Sequence, residues 1–325
     1  MRLSDLKILI KKLYLYLLAV GVLIAFGLIA YYIYDNPSGD QGFGKLPQIK
    51  FKNLLSAKIK LVGTVQGGLS LPRLVEVYRY QGFEQPATIA AKLGFSGQPQ
   101  NLGGSWVWDV SPRRFKVQQD SYDFTFNDIG KTITSNFVDQ DKARQKALDF
   151  IKTLGLTDTS VEVYPVSTGF VNSQGPEFEV VERTKPFNVY SFNIGVKIGG
   201  YNIVNFTGSP VVYNVWVGVD GRVTKANGNL QLLKLTGKST YPVKKAVTIR
   251  NEIESGKISI ANFTSAITNS KELDVDFNFF KLVYLSGKSN ENFLQPVVIF
   301  TGFGSSTTGQ VVGMTDALKG SVYSK

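Results

Sequence analysis

The chain has 325 residues, with 36 Lys and Arg against 25 Asp and Glu for a formal charge of +11, and it contains neither histidine nor cysteine. Without histidine it lacks the usual general base, the Ser-His-Asp arrangement and most transition-metal sites; without cysteine it lacks thiol catalysis, zinc–thiolate sites, iron–sulfur ligation and disulfides. Its 32 glycines and 12% aromatic content, beside 19% charged residues, favour strands and turns over helices.

Residues 1–12 carry Arg2, Lys7, Lys11 and Lys12 against Asp5, and residues 13–34 read LYLYLLAVGVLIAFGLIAYYIY without a charge. An apolar run of about 20 residues crosses a bilayer as one helix. The basic flank predicts a cytoplasmic N-terminus and a bulk that lies outside the membrane, extracellular or periplasmic. Tyr14 and Tyr16 at one end and Tyr31, Tyr32 and Tyr34 at the other suit the two headgroup layers, where phenol rings settle. A cleaved signal would have a shorter apolar stretch ending in a small-x-small site; Leu28-Ile29-Ala30 is a weak candidate, and the expectation is an uncleaved anchor.

Residues 35–54 read as a linker, because Pro37, Gly39, Gly42 and Gly44 break both helix and strand. Residues 55–135 form a first α+β unit. Alternation predicts strands over 59–65 and 75–80, with Gly67-Gly68 as the turn between them. Pro86 opens and Gly94 closes a short helix. Strands follow over 105–110, 114–118 and 122–126, with Trp106 and Trp108 on one face.

Residues 136–325 form a second α+β region of one or two units. Ala143, Ala147, Phe150, Ile151 and Leu154 make an apolar stripe on a helix from Asp139 to Leu154, closed by Gly155. Strands are predicted over 160–164, 178–182, 188–197 and 210–219, and Asp220-Gly221 turns the last into a hairpin with 222–235. Pro242 is expected to open, and Gly256 to close, a further amphipathic helix. Strands over 257–260, 275–285, 294–303 and 310–314 follow, and the closing KGSVYSK reads as a frayed tail. The fold class is thus α+β: a single N-terminal transmembrane helix, then two or three units of antiparallel sheet plus helix.

No catalytic pattern emerges. Asp274-Val-Asp276 lacks the regular oxygen spacing and glycine turn of a calcium loop, Ser56-Ala-Lys58 is one residue short of S-x-x-K, and Gly302-Phe-Gly304 and Gly67-Gly68 lack the lysine and helix of a phosphate loop. The chain therefore reads as a non-enzyme with no cofactor or metal. Its densest basic spots are Arg113, Arg114 and Lys116, a candidate contact for an anionic ligand, and Lys244-Lys245. Trp106, Trp108 and Trp216 are either stacking platforms or sheet packing.

Two helix ends echo each other, Ala90-Ala-Lys-Leu-Gly-Phe95 and Ile151-Lys-Thr-Leu-Gly-Leu156. With Val204-Asn-Phe-Thr-Gly-Ser-Pro-Val-Val212, Val217-Gly-Val-Asp-Gly-Arg-Val223 and Tyr241-Pro-Val-Lys-Lys-Ala-Val247, residues 136–325 resemble the PepSY-type and YycH/YycI-type domains of bacterial envelope proteins. The resemblance implies a non-enzymatic regulatory or protein-binding role and carries no site residues. The expected partners are the membrane, other envelope proteins or further copies of the chain, and no nucleic acid. The first functional expectation is an anchored envelope protein that binds another protein by a sheet face or edge; the alternative is a structural subunit of a surface complex. A wall hydrolase ranks below both, since no pair of carboxylates stands out for it.

Overall fold

A computed structural model describes residues 3–35, 40, 42–51, 60–65, 68–128, 138–174, 177–263, 272–286, 292–304 and 310–324. Arg2, the Gly67 turn, Ser56 and Lys58, and the side chains of Lys7, Lys11, Lys12, Tyr34 and Asp274 lie outside the described residues.

The chain opens with α1 (Leu3–Asp35), the one described helix long and apolar enough to cross a membrane; its window Tyr16–Ile33 has a mean hydropathy of 2.3. Tyr14, Tyr16, Tyr31 and Tyr32 are exposed near the two ends of that window. A membrane anchor and a signal sequence both fit a helix of this kind near an N-terminus.

The remainder is mixed α+β and dominated by antiparallel sheet. The elements are β1 (Lys60–Val65), β2 (Leu74–Tyr80), α2 (Pro86–Lys92), β3 (Gln100–Asn101), β4 (Ser105–Val110), β5 (Arg113–Gln118), β6 (Asp123–Asp128) and α3 (Gln140–Leu154). Then come β7 (Val161–Gln174), β8 (Glu177–Val181), β9 (Val189–Ile198), β10 (Tyr201–Val204), β11 (Tyr213–Gly218), β12 (Val223–Asn229) and β13 (Leu235–Pro242). Last are α4 (Ala246–Glu254), β14 (Ser259–Phe263), β15 (Glu272–Leu285), β16 (Phe293–Gly304), β17 (Gln310–Asp316) and a 3₁₀ turn, Gly320–Val322.

The larger sheet runs β3–β4–β5–β6–β12–β11–β9–β7–β8, antiparallel throughout. The smaller runs β14–β17–β16–β15, with β1 added parallel along the start of β15. Strand β10 joins the two, antiparallel to β9 and parallel to the end of β15. A β2–β13 ribbon attaches to the start of β16. The ladder crosses position 135, since β6 pairs with β12, and β1 and β2 pair with distant strands instead of with each other.

Local chemistry explains the helices. Asp139 caps α3 by accepting from the Lys142 amide at 2.8 Å, and Gly155 ends it in the left-handed region at φ 69°. Ala143, Ala147, Ile151 and Leu154 are buried against the larger sheet. Helix α2 packs beside α3, and Lys92 donates to the Leu154 carbonyl at 2.6 Å, a cation at a helix C-terminus. Helix α4 buries Ile249 and Ile253 and packs on β1.

Four expectations are corrected. Pro242 does not open α4: it ends β13, paired with Leu74, and the helix starts at Ala246, because long-range pairing outweighs the N1 preference of proline. The partner of the Asp220-Gly221 hairpin stops at Asn229, and residues from Leu235 pair with β2 instead. The C-terminus is not frayed. Val322 is fully buried, Leu46 bridges Tyr323, the Leu46 amide donates to the Val322 carbonyl at 2.9 Å, and Ser324 donates back to Leu46 at 2.8 Å. The same contacts mean that much of 35–54 is no free spacer. Leu46 and Ile49 are buried, Phe43 packs against Phe293, and Asp40 accepts from the Thr240 amide at 2.6 Å.

Candidate open face of the larger sheet

Helices α2 and α3 cover one face of the larger sheet. Strand alternation sends Phe115, Phe124, Phe126, Phe192, Val215 and Ala226 to that side, where all are buried. The opposite face meets no described helix. Its side chains fall into straight rows fixed by the register. One row reads Lys116–Thr125–Asn227–Asn214–Asn193–Ser167 across β5, β6, β12, β11, β9 and β7. The next reads Asp109–Arg114–Asn127–Lys225–Trp216–Ser191. At 4.7–4.9 Å per strand, such a face is about 25 Å wide.

Part of the face is held rigid. Asn214 Nδ2 donates to Asn193 Oδ1 at 2.8 Å and to Ser191 Oγ at 3.0 Å, and Asn193 Nδ2 donates to Ser167 Oγ at 2.9 Å. Trp216 is half-buried beside Phe178 of edge strand β8, with ring centroids 4.9 Å apart at 78°. Lys225 Nζ lies 4.4 Å from the Trp216 ring centre and 4.8 Å from that of Phe178. Beyond them Phe178 and Val180 are 52% and 71% exposed on the sheet edge. Next to the rows, Tyr164 lies across Gly195, where a Cβ would come within 2.8 Å of its ring; Lys197 sits 4.2 Å above that ring.

The basic triplet is divided. Arg114 and Lys116 stand on the open face, and Arg114 Nε donates to Asp109 Oδ2 at 2.8 Å. Arg113 points to the helix side, stacked over Phe95 and Phe126 at 5.0 and 5.8 Å and 3.8 Å from Asp128. It holds the α2 end to the sheet by donating to the Leu93 carbonyl. Lys244 is likewise structural: it joins α4 to β17 through Glu252 at 2.8 Å and Asp316 at 3.1 Å. Trp108 is buried with Nε1 donating to the Gly97 carbonyl at 3.1 Å, and Trp106 packs on Tyr122. Trp216 alone of the three tryptophans stands on the open face.

Lys225, Phe178 and the asparagine row were not singled out from sequence. For Lys225 and the asparagines the signal is alternation of polar with apolar residues along their strands, and for Phe178 the sequence offers none.

The face offers ammonium groups, amides and one aromatic anchor, which suits binding. Lys116 and Lys225 have no carboxylate partner among the described residues. No group of three His, Cys, Asp or Glu side chains converges as a metal site among them.

No protein-family model and no curated protein matches the chain in sequence. It is similar to the crystal structure of an uncharacterized protein from Eubacterium rectale ATCC 33656, at 12% identity and a TM-score of 0.39 over 82% of this chain and 91% of that one.

Proposed function

We propose that this is a single-pass membrane protein, anchored by α1 with its N-terminus in the cytoplasm, whose folded part binds another envelope protein through the open face of the larger sheet. The role is regulatory or assembly-related and non-catalytic. One observation carries the reading: a wide polar face, uncovered by any described helix, holds a pre-packed Trp216–Phe178–Lys225 cluster. Tryptophan set in a rigid surround is the usual energetic centre of a protein interface. Lys116 and Lys225 favour a partner with an acidic surface. Anchoring in the membrane plane raises the effective concentration toward such a partner.

The order of elements supports a helix-plus-sheet repeat of the PepSY or YycH/YycI kind: α2, α3 and α4 are each followed by several strands. In this reading the repeats share strands instead of standing as separate bodies.

A second reading, a structural subunit built from copies of the chain, rests on β8. An edge strand exposing Phe178 and Val180 is a template for strand pairing.

A photo-crosslinking residue at Asn193 and, separately, at Val180 tests both in cells. The face reading expects an adduct from position 193 with a different envelope protein. Adducts between copies from position 180, with none from 193, favour the structural subunit and overturn the first reading.

A further inference from the structure

Outside the larger sheet, positive charge gathers where the β2–β13 ribbon ends and the chain passes into α4. A cleft of about 220 Å³ there is lined by Arg73, Lys244, Lys245 and Lys319, and no acidic residue lines it. The backbone brings these cations together from three separate stretches of chain. The Val243 amide donates to the Arg73 carbonyl at 2.9 Å, the Lys244 amide to the Ala317 carbonyl at 2.8 Å, and the Lys319 amide to the Pro242 carbonyl at 3.1 Å. Lys244 is neutralised from behind by Glu252 and Asp316. Arg73 and Lys245 are exposed and Lys319 is half-buried. Like charges held together in this way favour an anion. Apolar surface lies next to them: Leu74 is 39% exposed beside Arg73, and Val247 is 59% exposed two residues past Lys245.

The position of this corner relative to α1 is limited by chain length. Helix α1 ends at Asp35, and Asp40 is fixed to β13, where its amide donates to Thr240 Oγ1 at 3.0 Å and its carboxylate accepts from the Thr240 amide at 2.6 Å. Five residues reach at most about 18 Å. Lys245 follows Thr240 by five more residues, at most about 17 Å along an extended strand. The path onward from Asp40 stays at the same corner, because the Leu46 amide donates to Val322, three residues past Lys319. A folded body of this length has a radius of gyration of about 19 Å, so the corner around Thr240 is the part that the tether keeps near the end of α1.

We infer that this corner rests on the bilayer surface and binds the phosphate-bearing headgroups of anionic lipids, an inference that depends on α1 being a membrane anchor. Four cations and no acid around the cleft select a phosphate over a neutral or cationic group. Exposed aliphatic side chains beside basic ones suit the headgroup boundary, where apolar burial and attraction to anionic lipid add. Each basic side chain near an anionic surface strengthens association about fivefold. None of these residues belongs to the open face, so lipid and protein partner occupy different parts of the molecule.

The test uses the full-length chain in nanodiscs of phosphatidylcholine alone or with one-third phosphatidylglycerol. A fluorophore on Val247→Cys or, as a control, on Lys146→Cys is quenched by lipid carrying a headgroup spin label. Strong quenching at position 247 is expected only with phosphatidylglycerol, and none that depends on lipid charge at position 146. Replacing Arg73→Gln, Lys245→Gln and Lys319→Gln together should lower the ratio of docked to undocked protein about 100-fold. The backbone bonds that shape the corner remain in that variant, and molar salt tests the same charges without substitution by shortening the screening length to about 3 Å. Quenching at 247 that ignores lipid charge, or that survives both the triple substitution and salt, would overturn the inference. Displacement by millimolar inorganic phosphate at constant ionic strength would make the cleft a free-anion site and would equally overturn it. Extraction of membranes with alkaline carbonate separates the two readings: release of the chain removes the anchor and this inference with it, whereas a retained chain without charge-dependent quenching removes this inference alone.

Discussion

Lys225 bridges two strands by its side chain alone: its ammonium lies over Trp216 of neighbouring β11 and over Phe178 of edge strand β8. The cation and the edge-to-face ring pair together hold the exposed β8 against the open face, contacts worth about 0.5–1 and 0.5–1.5 kcal/mol respectively. Trp216→Ala is expected to lower unfolding free energy by about 1–2 kcal/mol. Partner capture should fall by about 30-fold, the effect of a 2 kcal/mol interface anchor. Urea unfolding and quantitative co-purification measure the two effects separately.

Leu46, just beyond the membrane-length helix, is fully buried beside the C-terminal turn. Leu46→Ala should cost about 2–5 kcal/mol. Ending the chain after Lys319 removes Val322 and Tyr323 and should expose the segment around Leu46 to protease. Denaturant midpoints and limited proteolysis of the two variants check this, and a frayed tail would leave both unchanged.

Gly302 and Gly313 are required by strand packing. A Cβ on Gly302 would lie 2.3 Å from the Asp276 carbonyl oxygen across the ladder, and one on Gly313 would lie 2.0 Å from the Phe300 ring. Gly302→Ala and Gly313→Ala are each expected to destabilise by about 1–3 kcal/mol. Gly68→Ala, which meets nothing within 4 Å, should change stability little. Thermal melts of the three distinguish packing from any general effect of glycine loss.

Acid should loosen the β2–β13 ribbon. Glu76 is held below its ordinary 4.5, first by the hydrogen bond from Lys238 at 2.6 Å and then by the Tyr78 hydroxyl, against the opposing effect of burial. Asp40 is lowered by Ser239 and the Thr240 amide on the same strand. A carboxylate with a depressed folded pKa stabilises above its unfolded pKa, and the contribution disappears as pH falls through the folded value. Wild-type stability should therefore drop below pH 4.5. Glu76→Gln should be less stable than wild type at neutral pH and should converge with it in acid. Melts across that range make the comparison.

Local signals were readable wherever one residue answers to its own backbone. Asp139 and Gly155 bound α3, and Gly221 at φ 80° turns the β11–β12 hairpin, all as the sequence implied. Pairing over long distances was not readable. Nothing in Leu61 or Val77 names Leu273 or Ser239 as the opposite residue. The docking of Leu46 against Val322 is equally non-local, which is why the linker and the tail both looked free. For Arg113 the information was at hand: in a strand it must point away from Arg114 and Lys116, so the triplet was never one patch. Which face α3 covers depends on the assembled sheet, so Trp216 could not be separated from Trp106 and Trp108 by alternation alone.

Because the natural chain has no cysteine, single cysteines can be placed at will. The decisive measurement is the labelling rate of Asn193→Cys on the open face and of Lys146→Cys on the exposed side of α3, using a membrane-impermeant maleimide on intact cells (outer layers opened where necessary) and on purified protein. The account predicts that both react from outside the membrane, and that position 193 reacts much more slowly in cells than when purified while position 146 does not change. Equal rates at 193 in cells and in isolation would contradict a bound partner on this face, and no labelling of either position in cells would contradict the outward orientation.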